Sequence, residues 1–347
     1  MKERQRDFDV TNTVRISDPR EVGREVCRLL RALYPTSDLA PVEKAFDTFT
    51  RIYAGTLDGY LGCDTWYHDA QHSLDCTLAM ARLLDGHERA ARGRSALGER
   101  RVRLGVICAL FHDVGYIRRV EETEIKNGAE LTLCHVTRSG EFLAEFLPTV
   151  GFAEEAAMVR QVVHFTGYEM PLDRIRVRGA KDRRLGFLLG SADLMAQMAD
   201  RAYPEKCHTF LYREFEHCGL AGTPKPGGPA PIYQSPDDLL RKTPGFAKKL
   251  FDDRLDGFFQ GCYRFLETHF GGHNPYLAQI RSHLDYIARI IASGSMKGLR
   301  RRPERIDAAT LRGLLGLKIG ERRAAQGRVV RRRTHVAKAK ASEYIPV

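Results

Sequence analysis

With 347 residues, 43% hydrophobic and 29% charged, the chain has the composition of an ordinary globular protein of about two domains, which excludes collagen-like and wholly disordered classes. No apolar run is long enough to cross a bilayer, and the polar N-terminus MKERQRDFDVTNTVRISDPR lacks the apolar middle of a secretory signal, so the expected compartment is the cytoplasm. The net charge of +11 resides in residues 296–347, where fifteen Lys/Arg face four Asp/Glu; the rest of the chain is neutral.

In chain order, apolar residues recur at three- and four-residue spacing over 26–33, 42–53, 68–84, 101–111, 138–146, 154–164, 185–203, 237–270 and 276–291, each predicting helix. Pro244 is expected to start a new segment inside the eighth of these. No alternating β-branched series appears, so the predicted fold class is all-α. Residues 219–231 hold four Gly and four Pro in thirteen positions, a composition for an exposed loop or lid. The eight cysteines include no C-x-x-C pair and read as reduced, mostly buried small hydrophobes. The predicted organisation is an N-terminal helical extension (1–59), a metal-binding core (60–218), the Gly/Pro-rich loop (219–236), a C-terminal helical layer (237–295) and a basic, largely disordered tail (296–347). Such a tail attracts nucleic acid or an acidic partner without sequence selectivity.

The chemistry concentrates in the segments WYHDAQH (66–72) and ALFHDVGY (109–116). On a helix, the stripe from His72 continues through Cys76, Ala79 and Leu83, so His72 faces the interior. Behind His112 lie Cys108 and Gly105, and around Asp193 lie Gly186, Gly190 and Leu189. Small residues beside an inward acid or imidazole are expected to leave room for something other than side chains. A buried Asp113 or Asp193 needs a partner or a metal. Gly115 is expected to terminate the helix, and at a helix end His112 and Asp113 can both reach one ion. His135 and His164 complete a set of four imidazoles and two carboxylates, which suits one or two ions of Fe, Mn or Zn better than Ca or Mg. Arg138, one turn beyond His135, is placed to hold a substrate phosphate or to be a surface charge. Gln197, one turn past Asp193, lines a pocket or forms a polar edge.

The ordered set His72, His112-Asp113 and Asp193 resembles the HD-domain superfamily of metal-dependent phosphohydrolases, over roughly residues 60–205. The resemblance implies a helical HD core in which His72, His112, Asp113 and Asp193 bind one metal. Asp113 would bridge to a second ion held by His135 and His164. YHDAQH is similar to the Tyr-His-Asn-x-x-His of cyclic-nucleotide phosphodiesterases, which implies that His68 protonates the leaving oxygen. Asp69 stands where those enzymes have Asn, and HDVGY lacks their following His, so the small phosphorylated substrate, a nucleotide or another phosphoester, stays open. The same ligand array serves diiron oxygenases, and a catalytically inactive scaffold would sense a ligand instead; these are the two alternatives to hydrolysis by a metal-activated water.

Overall fold

The computed structural model describes residues 4–91, 93–223 and 230–317. Its α-helices in chain order are α1 (Pro19–Leu33), α2 (Ala40–Tyr53), α3 (Ala70–Ala90), α4 (Glu99–Phe111), α5 (His135–Phe146), α6 (Ala156–Val162), α7 (Ala180–Ala199), α8 (Tyr203–Lys206), α9 (Tyr212–Cys218), α10 (Pro236–Leu250), α11 (Phe265–His269), α12 (Pro275–Ala292) and α13 (Ala308–Leu315). Extended pairing among the described residues is limited to single bridges, Phe8 with Arg15, Tyr60 with Arg119 and Ala221 with Tyr233, so the chain is all-α. None of the described helices is long and apolar enough to cross a membrane.

Helix α3 is the axis of the fold. Every residue from Ala70 to His87 is buried, and α1, α4, α7 and α11 pack around it. A helix enclosed on all sides has to satisfy its own polar groups. Arg82 donates to Asp9 Oδ2 at 2.6 Å and to the Tyr276 hydroxyl at 2.8 Å, tying the N-terminal segment and α12 to the centre. Asp85 accepts from Arg89 at 3.0 Å and from His269 at 2.6 Å. One apolar core runs from Val14 to Leu311, so the N-terminal helices and the C-terminal layer pack on the same interior as the central helices.

Several local expectations change. Helix α3 starts at Ala70 because Asp69 caps it, its Oδ1 accepting from the His72 amide at 3.1 Å. His68 therefore lies outside the helix and not one turn behind His72 within it. Pro244 sits inside α10, which runs through to Leu250 with one donor missing; regular α geometry yields only at the π-helical stretch Phe251–Phe258. Gly115 is not a left-handed helix stop. It lies in the turn Val114–Tyr116, and a Cβ there would stand 1.9 Å from the His135 carbonyl oxygen, so glycine lets this turn press against the start of α5. The space beside Gly186 and Gly190 is also filled. A Cβ on Gly186 would meet the Phe165 ring at 2.3 Å, and one on Gly190 would meet Phe259 at 2.6 Å. These glycines admit aromatic rings between helices, not a ligand.

Part of the expected tail belongs to the fold. Ile306 and Leu311 are buried, the Ile306 amide donates to Asp69 Oδ2 at 2.7 Å, and the Ala308 amide to the Cys63 carbonyl at 2.9 Å. Ala308 is buried with Ile306 and Leu311, and Met296, Leu299, Leu315 and Leu317 pack partly buried against the core, at irregular spacings that write no single helical stripe. The expected disorder of residues 318–347 falls outside the described residues, as do residues 224–229 of the expected lid. The ends of that loop are joined by the Gly222 amide, which donates to the Tyr233 carbonyl at 2.9 Å.

Candidate metal centre

Helices α3, α4 and α7 pack against one another and gather four donor residues, with His72 and His112 in contact with both carboxylates. His72 is in the first turn of α3, His112 caps the C-terminus of α4, and Asp193 lies inside α7. Asp113 follows the cap with φ −108 and ψ 7, so the chain has left the helix and the adjacent His112 and Asp113 can aim at the same place. His72 Nε2 stands 3.3 Å from His112 Nε2, 3.3 Å from Asp113 Oδ2 and 3.2 Å from Asp193 Oδ1. His112 Nε2 stands 3.2 Å from Asp113 Oδ2 and 3.5 Å from Asp193 Oδ1. All four residues are buried.

The donors fit a cation. His112 Nδ1 donates to the Ala109 carbonyl at 2.8 Å, which leaves Nε2 as the lone-pair nitrogen of the neutral ring. Asp113 Oδ2, buried among these nitrogens, accepts no well-aligned hydrogen bond. Ligand atoms bound to a first-row ion at about 2.0–2.1 Å lie about 3.3 Å apart in a tetrahedron, the spacing of the His72–His112–Asp113 trio; Asp193 meets both histidines at that range but does not close on Asp113. In the absence of an ion the cluster draws protons instead. Burial opposes charge on His72, but the Asp113 and Asp193 carboxylates outweigh it and raise the ring to about 9; His112 is raised well above its usual value by the same neighbours. Burial likewise disfavours ionised Asp193 and Asp113, yet the two imidazoles hold Asp193 at about 2 and Asp113 well below the carboxylate range. A divalent ion would displace those protons. Cys76, one turn after His72, forms a further buried trio with His112 and Asp193, although burial pushes its thiol up to about 11.

His135, the first residue of α5, places Nε2 at 3.6 Å from the other oxygen of Asp113, while its Nδ1 donates to the Thr132 carbonyl at 2.7 Å. Burial lowers its affinity for a proton, which keeps Nε2 free. His164 lies in the turn Val163–Phe165, just before the pocket-lining residues Thr166, Gly167 and Tyr168. Its buried Nδ1 has no hydrogen-bond partner. The structure thus gathers His72, His112, Asp113 and Asp193 and sets His135 against the far side of Asp113, whereas His164 is not among the residues that line the pocket.

A pocket of about 460 Å³, counted with its open mouth, lies over the cluster; His68, Gln197, Leu211 and Phe215 are in its wall. His68 stacks on Tyr116 with ring centroids 4.5 Å apart, and Tyr116 stacks on His135 at 4.2 Å. The Tyr67 hydroxyl donates to Gln197 Oε1 at 3.0 Å. Arg138 is committed elsewhere. It pairs with Glu122 at 2.5 and 3.0 Å and donates to the carbonyl of Gly115 at 2.7 Å, clamping the turn that carries Asp113.

Glu214 escapes the sequence reading. Fully buried on α9, its Oε1 accepts from the amides of Trp66 and Tyr67 at 2.6 Å and of His68 at 3.2 Å, and its Oε2 lies 2.5 Å from His68 Nδ1. The only hint in the sequence is an acid set between the apolar Leu211 and Phe215, and its partner is almost 150 residues away. A scan against protein-family models finds no match, and neither do searches of curated proteins and of solved structures. The reading of the site rests on its geometry.

Proposed function

We propose that this protein is an HD-type metal-dependent phosphohydrolase acting on a small phosphorylated molecule. The observation that carries the reading is the joint presence, in one pocket, of the His72–His112–Asp113–Asp193 cluster and a histidine locked by a buried carboxylate. His72, His112, Asp113 and Asp193 would hold one ion of Fe, Mn or Zn, and His135 and His164, with Asp113 Oδ1, a second. Bound ions supply an acidified water and positive charge for a phosphoryl group.

The chain's own residues do the rest. Glu214 accepts only, so it keeps His68 Nδ1 protonated and leaves Nε2 for the pocket. As an imidazolium balanced by the Glu214 carboxylate, the ring, fixed flat against Tyr116, hands its Nε2 proton to the departing oxygen and is left neutral with Nδ1–H on Glu214. Gln197, with its carbonyl oxygen engaged by Tyr67, presents its amide group to the substrate. Leu211 and Phe215 exclude water from one side of the pocket.

The test is protein loaded anaerobically with Fe, Mn or Zn and offered phosphomonoesters and phosphodiesters, with P–O cleavage and oxygen uptake followed in parallel. Cleavage in the wild type that disappears in Asp113→Ala supports the reading. Oxygen uptake without cleavage, or undiminished cleavage by Asp113→Ala, refutes it.

A further inference from the structure

A second chemistry-bearing cluster lies outside the pocket. The indole of Trp66 is flanked by the Arg213 guanidinium, 4.1 Å from the ring centroid, by the Arg305 guanidinium at 5.2 Å, and by the His217 ring at 5.0 Å. The two guanidinium carbons can therefore be no farther apart than the sum of the first two distances. Arg213 and His217 are one turn apart on α9 and exposed. They project from the side of the helix opposite Leu211 and Phe215, which face the pocket. The cluster is separate from the metal centre.

Its charge is only partly neutralised from within. Arg213 makes no hydrogen bond or ion pair among the described residues. Arg305 donates Nε to the Thr65 carbonyl at 2.8 Å and Nη2 to the Asp64 carbonyl, while its nearest carboxylate, Asp307, is 3.7 Å from Nη1. Of the other acids nearby, Asp64 pairs with Arg118 at 2.5 Å and Glu214 turns inward to three amides and His68, while Glu216, three residues after Arg213 on α9, is exposed. One guanidinium is thus held by two carbonyls and the other only by its stacking on the indole, with an imidazole beside them. That arrangement matches the oxygens of a phosphate group, which guanidinium forks bind in pairs. Arg300 and Arg302, both exposed, lie on the same segment as Arg305, and fifteen of the residues from 296 to 347 are Lys or Arg.

We propose that Trp66, Arg213, Arg305 and His217 form a second recognition site, for the phosphates of a polyanionic chain, beside and independent of the metal pocket. Nothing in the proposal uses the metal cluster, so it stands or falls apart from the hydrolase reading.

Trp66 is the only tryptophan of the chain, so intrinsic emission comes from within this site, and the Arg213→Ala variant separates binding here from binding in the neighbouring pocket. The experiment titrates the full-length protein with a ten-nucleotide oligouridylate and with linear inorganic polyphosphate of similar length, at fixed ionic strength, reading Trp66 emission and, for labelled oligouridylate, anisotropy. A saturable change in emission is expected. Arg213→Ala should weaken binding several-fold and lower the slope of log affinity against log salt by about 0.7, the loss of one phosphate contact on a single strand. A response to oligouridylate alone assigns the site to nucleic acid, a response to polyphosphate alone to free polyanion, and both outcomes support it. Emission unchanged by either probe in folded protein overturns the proposal. So does oligouridylate binding that leaves Trp66 and the effect of Arg213→Ala silent, because the contacts would then lie elsewhere in the basic segment.

Discussion

Glu214→Gln tests the proton-donor role proposed for His68. The carboxamide can orient in two ways. Turning its NH₂ toward the amides of Trp66, Tyr67 and His68 would face three donors with a donor, so the carbonyl oxygen stays there and the NH₂ faces His68 Nδ1. That nitrogen must then accept, and in the neutral ring the proton moves to Nε2, the wrong tautomer for a residue that must be recharged from the pocket side. Loss of the carboxylate also weakens three charge-assisted hydrogen bonds, so stability should fall by about 2–4 kcal/mol, well within what a domain of this size tolerates. General acid catalysis contributes about 10²–10⁴-fold, and a loss of about 10²-fold in kcat is expected for an ester with a poor alkoxide leaving group. With a 4-nitrophenyl ester the leaving group needs no proton, and the loss should shrink to a few-fold. The assay compares the two substrates on wild type and Glu214→Gln of equal metal content. An equal loss on both substrates would refute the proton-donor role.

Two further predictions concern buried titratable groups that oppose one another. Burial holds His283 at about 4, partly offset by its bond to the Met198 carbonyl. Its folded value lies below the unfolded one, so between about 6.5 and 4 the unfolded chain binds the extra proton and stability drops as pH falls. The loss should be about 2 kcal/mol from pH 7.5 to pH 5, and His283→Gln should flatten that limb of a urea-denaturation series. Asp75 behaves in the opposite sense. Neither of its buried oxygens accepts a hydrogen bond, and burial, against the pull of Arg4, raises the carboxyl to about 7. Stability then falls as pH rises from about 4 to 7, and Asp75→Asn should stabilise the protein by a few kcal/mol at pH 8 but hardly at pH 4. An equal effect of the substitution at both pH values would contradict this.

What was legible in the sequence followed from periodicity. The all-helical architecture and the inward faces of His72, His112 and Asp193 come from apolar stripes that continue through each ligand helix. The use of a helix end to aim His112 and Asp113 together was also readable, since adjacent residues can converge only where helical geometry stops. The illegible parts are contacts between distant segments. Glu214 reaches His68 across almost 150 residues and leaves no spacing signal. Arg138 looks available on its helix but is consumed by Glu122 on a turn. Small residues on a ligand helix signal close approach, yet only the packed structure shows that Phe165 and Phe259 take the space. The docking of residues 296–317 rests on a capping carboxylate, Asp69, whose second oxygen is claimed by Ile306, a pairing that composition conceals beneath positive charge.

The central claim is that His72, His112, Asp113 and Asp193 hold a divalent ion and that His135 and His164 help hold another. Elemental analysis of anaerobically purified protein, supplied with Fe, Mn and Zn and then freed of loosely bound metal, tests it most directly. The account predicts two equivalents per chain in the wild type, one in the His135→Ala/His164→Ala double variant, and less than one in Asp113→Ala. A wild-type protein that retains no metal, or variants that retain as much as the wild type, would contradict it.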